Sequence, residues 1–328
     1  MVSLSVVLTV YARYQYVYQA LDSLRRSGMP PDEYEVILVA DQPHRVQFDR
    51  VKAIECSSPN HGECVIRGIN ESVSDVIVFL EDDDAFSKGK LEKVKEVFSS
   101  KRDVDYYHNR QVYIDAQGRE IKSADPRVFI YEYFQPGRTQ IMRAPRDYMD
   151  TWLRYPALHH NLSSIAIRKR LIKGNEEALA KLKSSIDWAL TLLSMTSVGI
   201  HDKTRLTYYR VGSGSTSARK SPGELRRLLE VYERELQSKL TFLKYAELQD
   251  FQLEYGNLDA RIHRLYLDFL KGRKPSYTFS LKEAFQLSRR RELVLGAFEF
   301  VLYNSSRHEA LFKGLGKLTS ALLGAFLR

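Results

Sequence analysis

Cysteine is scarce in this sequence: 328 residues contain only Cys56 and Cys64. No disulfide framework is expected from two cysteines, a reducing compartment is the default, and both are read as small buried hydrophobes. With His61 they still fall short of the four ligands of a closed zinc site. No stretch reaches the roughly 18 uninterrupted apolar residues that a bilayer span requires. The opening MVSLSVVLTV lacks a basic leader and a small-residue cleavage site, so it is expected to be a strand and not a signal peptide. Neither the phosphate-binding GxxxxGK[ST] loop nor the dinucleotide GxGxxG fingerprint occurs, which argues against an NTPase and a nicotinamide enzyme. Internal repeats and low-complexity tracts are lacking too.

What is present is a globular mixture, 44% hydrophobic and 28% charged. The length fits one large domain with an appendage, or two ordinary domains. The net charge of +9 is unevenly placed. Residues 219–270 carry 9 Lys and Arg against 9 Asp and Glu, whereas 271–328 carry 11 against 4. Such a concentration suits docking on something anionic, such as a membrane, and equally a solvated helical tail. The N-terminal part is nearly neutral, so it is not a nucleic-acid clamp.

Ser3–Tyr11, Glu35–Asp41, Val51–Cys56 and Asp75–Glu81 are short runs rich in Val, Ile and Leu. Runs of that kind predict strands buried on both faces, as in a parallel sheet. Between the first two, Val17, Ala20, Leu21 and Leu24 recur at helical spacing and Gly28 supplies a stop. Further helices are expected at Glu63–Ser72 and Leu91–Ser100. Alternation at this spacing predicts a doubly wound α/β domain. From about Asp103 to Gly214 the pattern is less regular, with a strand expected at Ser163–Arg168 and a helix from about Ser185 to Thr196. From Ser221, an N-cap followed by Pro222, the chain reads as helical. A last amphipathic helix near Glu309–Arg328 suits a membrane surface or packing on the domain.

In an open parallel sheet, ligands bind where strands end. The first strand runs into Thr9-Val10-Tyr11-Ala12-Arg13, the second ends at Asp41, and the fourth runs into Glu81-Asp82-Asp83-Asp84. Four adjacent acids at the end of a buried strand repel one another, and loss of water disfavours their charged forms. A divalent cation, Mg²⁺ or Mn²⁺, relieves that cost and commonly shares its shell with a diphosphate. The bland alternative is an acidic turn capping the helix that starts near Lys90.

These residues carry a resemblance. SVVLTVYAR, EVILVAD and DVIVFLEDDDAFSKGKL resemble the nucleotide-sugar half of a family 2 glycosyltransferase with the GT-A fold. That resemblance implies a Rossmann-like, mostly parallel sheet flanked by helices. It implies a catalytic domain over 1–218, with a nucleotide-sugar half at 1–100 and an acceptor half at 101–218. The helical, basic region 219–328 would follow. In register with the family pattern, Glu81 takes the first acid position and Asp83 the metal-coordinating second; Asp82 and Asp84 stay open because the run is all acid. Asp41 matches the acid directed at the nucleobase, and Thr9, Tyr11 and Arg13 the surrounding donor loop. HHNLSSIAIRK resembles the segment before the acceptor site, which puts His159 and His160 on the acceptor side. SSIDWALTLL resembles the acidic-Trp motif, which assigns the general base to Asp187 and sets Trp188 beside the acceptor. LTYYRVGSGSTS resembles the segment closing the donor site, with Arg210 as a second positive contact. Two departures stand out: Gln42, Pro43 and His44 follow the second-strand acid in place of Asp and Ser, and Val65 and Ile66 replace an Arg-Asn pair.

The implied activity is metal-assisted, inverting transfer of a hexose from a nucleoside-diphosphate sugar to a hydroxyl of a glycan or lipid-linked acceptor. No nucleic acid is expected as a partner. A cytoplasmic location is expected, peripheral to the membrane through 271–328. Rival readings are a nucleotidyltransferase, although VLTVYARYQY lacks its Gly- and Lys-rich phosphate loop, and a binding protein with a degenerate transferase domain.

Overall fold

The computed structural model describes residues 3–10, 13–122, 128, 131–132, 134–143, 145–211 and 222–271. Its first half alternates as the apolar runs require: β1 (Leu4–Val10), α1 (Tyr14–Arg25), β2 (Tyr34–Ala40), β3 (Val51–Glu55), α2 (His61–Glu71), β4 (Val76–Glu81), a two-residue β5 (Ala85–Phe86) and α3 (Lys90–Ser100). Strands β3-β2-β1-β4 lie side by side and parallel. Their side chains alternate between two layers. Leu4, Val6, Leu8 and Val10 pack with α1 and α3 residues such as Leu21, Leu24, Val94 and Phe98. Val7, Ile37 and Phe79 face the other way, toward Val65 and Ile69 of α2. Each such large side chain contributes ~1.5–3 kcal/mol on burial. Gly68 permits close packing, since a Cβ there would sit 2.4 Å from Val7 Cγ1. Gly28, at φ 99°, ends the turn after α1 as its sequence position predicts.

The second half is mixed in direction. It comprises β6 (Val104–Ile114), β7 (Gln140–Met142), α4 (Pro145–Arg154), β8 (Ile165–Arg168), α5 (Glu176–Ala180), α6 (Ile186–Ser194) and β9 (Val198–Arg210). β8 runs antiparallel to both β4 and β6, and β9 runs parallel to β6. The carboxyl ends of β1, β2, β4, β6 and β9 therefore reach one edge of the nine-stranded sheet, and β8 begins there. The parallel arrangement expected for the sheet holds through β4 and gives way beyond it. Between β6 and β9 lies a buried polar layer. The Lys90 ammonium donates to Asn109 Oδ1 at 2.7 Å, the Ser163 carbonyl at 2.7 Å and Thr207 Oγ1 at 2.9 Å.

One expectation is corrected. Cys56 and Cys64 form a disulfide, with their α-carbons 5.6 Å apart. The loop after β3 folds back so that the first turn of α2 lies over the strand end, which residue spacing alone does not reveal. The chain divides into two compact units, 1–257 and 258–328. Helix α7 (Pro222–Tyr245) and the start of α8 (Asp250–Leu270) belong to the first compact unit. Phe242 is fully buried against Trp188, and Gln252 donates to the Leu192 carbonyl at 2.8 Å. Among the described residues no helix is long and apolar enough to cross a membrane. Tyr11, Ser221, the serines of GSGSTS, the tail 272–328 and its expected helix at 309–328 lie outside the described residues.

Candidate active site

At the end of β4 the chain turns through Asp82, Asp83 and Asp84, all three buried. Arg13, just past the end of β1, spans two of them: Nη2 lies 2.6 Å from Asp82 Oδ1 and Nη1 2.5 Å from Asp83 Oδ2. Burial works against the charged guanidinium, but Asp83, Asp82, Glu81 and Asp84 outweigh it and hold Arg13 more firmly protonated than usual. Glu81 titrates well above the ordinary carboxylate range because of burial and its neighbours Asp84 and Asp83. Burial, reinforced by Asp83, raises Asp84 to about 7. One guanidinium thus faces four acids, a donor set that favours an additional cation. Among the described residues no three His, Cys, Asp or Glu side chains converge on one point. A hard divalent ion there would be held by one or two of these carboxylates, with its other oxygen ligands supplied from outside the chain.

Asp187 lies in the first turn of α6 and accepts the Trp188 backbone N–H at 2.8 Å. Withdrawal from water raises its pKa to about 6, against the pull of the Trp188 and Asn161 backbone N–H groups and Lys239. Its charge is felt at Glu81. Asn161 joins the two groups physically. Its backbone N–H serves Asp187, and its side-chain amide donates to Asp84 at 2.7 Å. Asn161 has φ 78°, and Ser185, just before α6, has φ 61°. Positive φ at a non-glycine residue costs about 1–3 kcal/mol and persists only where surroundings impose it. Two of the three such residues among those described flank Asp187.

The other sequence-assigned residues fall as follows. Thr9 Oγ1 is 3.0 Å from His61 Nε2, and burial followed by Arg13 lowers His61 to about 4. Asp41 ends β2 and accepts the Tyr14 hydroxyl at 2.6 Å. Arg210, at the end of β9, is only 1% exposed. Its guanidinium donates to the carbonyls of Asp83 (2.9 Å), Asp115 (2.8 Å) and Ala116 (3.2 Å) and to Gln19 Oε1 (2.6 Å). Its backbone N–H donates to Asp84 Oδ1 at 3.0 Å. It clamps the acid turn from behind. His160 stacks on Tyr131, ring centres 4.1 Å apart, and meets Tyr209 edge-on. Trp188 is 1% exposed and lies in the core with Trp152 and Phe242. His159 points the same way, 5.5 Å from the Trp152 ring. On the first turn of a core helix, the indole following the acid is buried, while Asp187 itself is half-buried.

Sequence reasoning missed Asn161, Lys90, Glu235 and Lys239. Asn161 lies within the HHNLSS segment, where an asparagine beside histidines is a usable signal for a special backbone position. Lys90 looked like an exposed helix start, and nothing local marks its burial. Glu235 and Lys239 form an i,i+4 pair of the type usually found in water.

Residues 5–155 match the family model described as "Glycosyl transferase family 2". Two solved structures of S. aureus TarS residues 1–349 share the fold. The complex with UDP aligns at a TM-score of 0.53 and 17% identity, and the complex with UDP-GlcNAc at 0.52 and 16%. Each alignment covers 94% of this chain and 83% of the other. No curated protein matches the sequence. The matched segment takes in β1, the acid run and β6, and over that segment the chain is similar to family 2 glycosyltransferases.

Proposed function

We propose that the chain transfers a hexose from a nucleoside-diphosphate sugar to an acceptor hydroxyl with inversion, Asp187 acting as the base. The observation that carries this reading is the Asn161 bridge, which sets the Asp187 carboxylate beside the acid run. A carboxylate near 6 is ionised at neutral pH yet more basic than an ordinary aspartate, which suits it to take the proton of an attacking hydroxyl. Arg13 and the run from Glu81 to Asp84 border the place for the diphosphate, and Asp41 and Thr9 lie at the strand ends beside it, where a nucleoside would rest. Asp83, with Asp84 as alternative, would hold Mg²⁺ or Mn²⁺; such an ion neutralises charge developing on the departing diphosphate. UDP and UDP-GlcNAc, the molecules bound in the TarS structures, are the first donors to try.

The acceptor is proposed to be a glycan, free or lipid-linked, with the basic segment 271–328 holding the enzyme on an anionic cytoplasmic membrane face. Incubation of the full chain with a panel of nucleotide sugars and Mn²⁺ tests the reaction. Release of nucleoside diphosphate supports it; pyrophosphate exchange in its place overturns it. Flotation with anionic liposomes tests the membrane part, and no binding at low or moderate salt removes it.

A further inference from the structure

Sequence pattern alone puts α7 in a C-terminal extension, yet one face of α7 lies on the first turn of α6. The Ser184 backbone N–H donates to Ser238 Oγ at 3.2 Å, and the two hydroxyls are also 3.2 Å apart. Lys239 Nζ sits 5.2 Å from the Trp188 ring centre, and Phe242 meets the same indole edge-on at 6.2 Å. Residues 235, 238, 239 and 242 share that helical face. The grip falls on a strained point, since Ser185 adopts φ 61° and ψ 33° immediately ahead of Ile186 and Asp187.

The groups facing Asp187 come from several elements. β4 brings Glu81, and β6 brings Tyr106, whose hydroxyl is engaged with Thr191 at 2.7 Å. The backbone N–H groups of Asn161 and Trp188 point at it. From α7 come Lys239, which attracts the carboxylate, and Glu235, which repels it. Glu235 is itself raised to about 7 by burial, with Lys239 opposing and Asp187 adding to the shift. Lys239 is 9% exposed; its ammonium lies over the Trp188 ring, and its charge is felt at both Asp187 and Glu235. A buried ammonium is tolerated only with such partners.

We propose that Lys239 is a positioning residue for Asp187: α7 holds its ammonium against the first turn of α6 and so fixes the orientation and charge of the base. This deepens the proposed function and rests on Asp187 being the base. It also makes α7 part of the catalytic unit. The test follows UDP-GlcNAc turnover with water as acceptor across pH, alongside UDP-GlcNAc affinity by calorimetry. Lys239→Met is expected to move the acidic limb of the rate profile up by ~1 pH unit and lower kcat ~fivefold near its original midpoint. Affinity should stay unchanged, and Lys239→Arg should restore the profile. A wild-type limb in Lys239→Met overturns the proposal, as does a uniform loss at every pH that Lys239→Arg leaves in place. Should Lys239→Met fail to fold, Lys239→Gln is measured in its place, and an unmoved limb there overturns the proposal. Failure of the underlying reading shows separately, as turnover retained in Asp187→Asn.

Discussion

Asn161 donates its side-chain amide to Asp84 at 2.7 Å while its own backbone is held at φ 78°. The residue is 4% exposed, so the bond is made away from water, and losing it leaves a buried carboxylate short of a donor. Asn161→Ala removes the amide and keeps the unfavourable φ. It is expected to cost ~1–3 kcal/mol of stability and to weaken UDP-sugar binding through a displaced Asp84. Asn161→Gly relieves the backbone strain but loses the same bond, so it should melt at a higher temperature than Asn161→Ala while binding just as poorly. Thermal melts paired with calorimetry check both. Equal melting of the two variants would show that the backbone is not strained there.

Asp187→Asn keeps the size of the side chain and an oxygen able to accept the Trp188 N–H, but it cannot take a proton. Nucleotide-sugar affinity should be preserved and turnover should drop by ~10²–10⁴. In the unaltered enzyme, protonation of Asp187 near pH 6 predicts a rate that declines on the acid side of that value. A variant with normal turnover removes Asp187 from the mechanism.

The legible part of this fold was the part whose burial is apolar. Leu4–Val10, Tyr34–Ala40 and Val76–Glu81 stand within a residue or so of where their Val, Ile and Leu runs predict, since a strand covered on both faces needs little else. β6 and β9 were not legible because their buried positions hold Asp105, His108, Asn109, Gln111, His201, Asp202 and Thr207. Those side chains are satisfied by partners far off in sequence, such as the His108 and His201 Nδ1 atoms 2.8 Å apart. At the site, the acid run announces itself by like charges at a strand end. Asn161 and Lys239 do not, because each matters through a contact that exists only once β8 and α7 are in place.

Arg210 offers a direct contrast between two roles. Its guanidinium donates to three carbonyls and to Gln19, so it fixes the acid turn from the protein side. Arg210→Lys keeps a positive charge but loses the planar fork that reaches these oxygens together. The expected result is a loss of about 2–4 kcal/mol in stability, with UDP-sugar affinity falling alongside as the turn shifts. Chemical denaturation and calorimetry on the same preparation decide the matter. Undiminished stability with weakened binding would mean that Arg210 touches the diphosphate itself.

The raised carboxyls make stability depend on pH in a direction opposite to that of a protein held by ordinary ion pairs. Asp84 and Glu235 sit near 7 and Glu81 well above its usual range, so between their unfolded and folded values the native state binds more protons than the unfolded chain. Stability from these groups is present at low pH and is lost as pH rises through the folded values, by about 1.4 kcal/mol per pH unit for each group still protonated. His61 and His108, lowered to about 4, and His160, lowered to about 3, act in the reverse sense. Their contribution grows as pH rises and is complete above the unfolded value near 6.5. Below 6.5 the two sets oppose each other; above it the carboxyls go on losing stability, while Lys90, held well below its usual value by burial, acts the other way. The contribution of the acid run is isolated by Asp84→Asn, which cannot ionise: between pH 6.5 and 8, without divalent ions, the melting temperature of the unaltered chain should fall relative to that of the variant. Mn²⁺ with UDP should raise the melting temperature more at pH 8 than at pH 6.5, because the acids are by then charged and in want of a counter-ion. A melting temperature that tracks that of Asp84→Asn from pH 6.5 to 8 would show that the acid run is already neutralised by the protein, with Arg13 as sufficient partner.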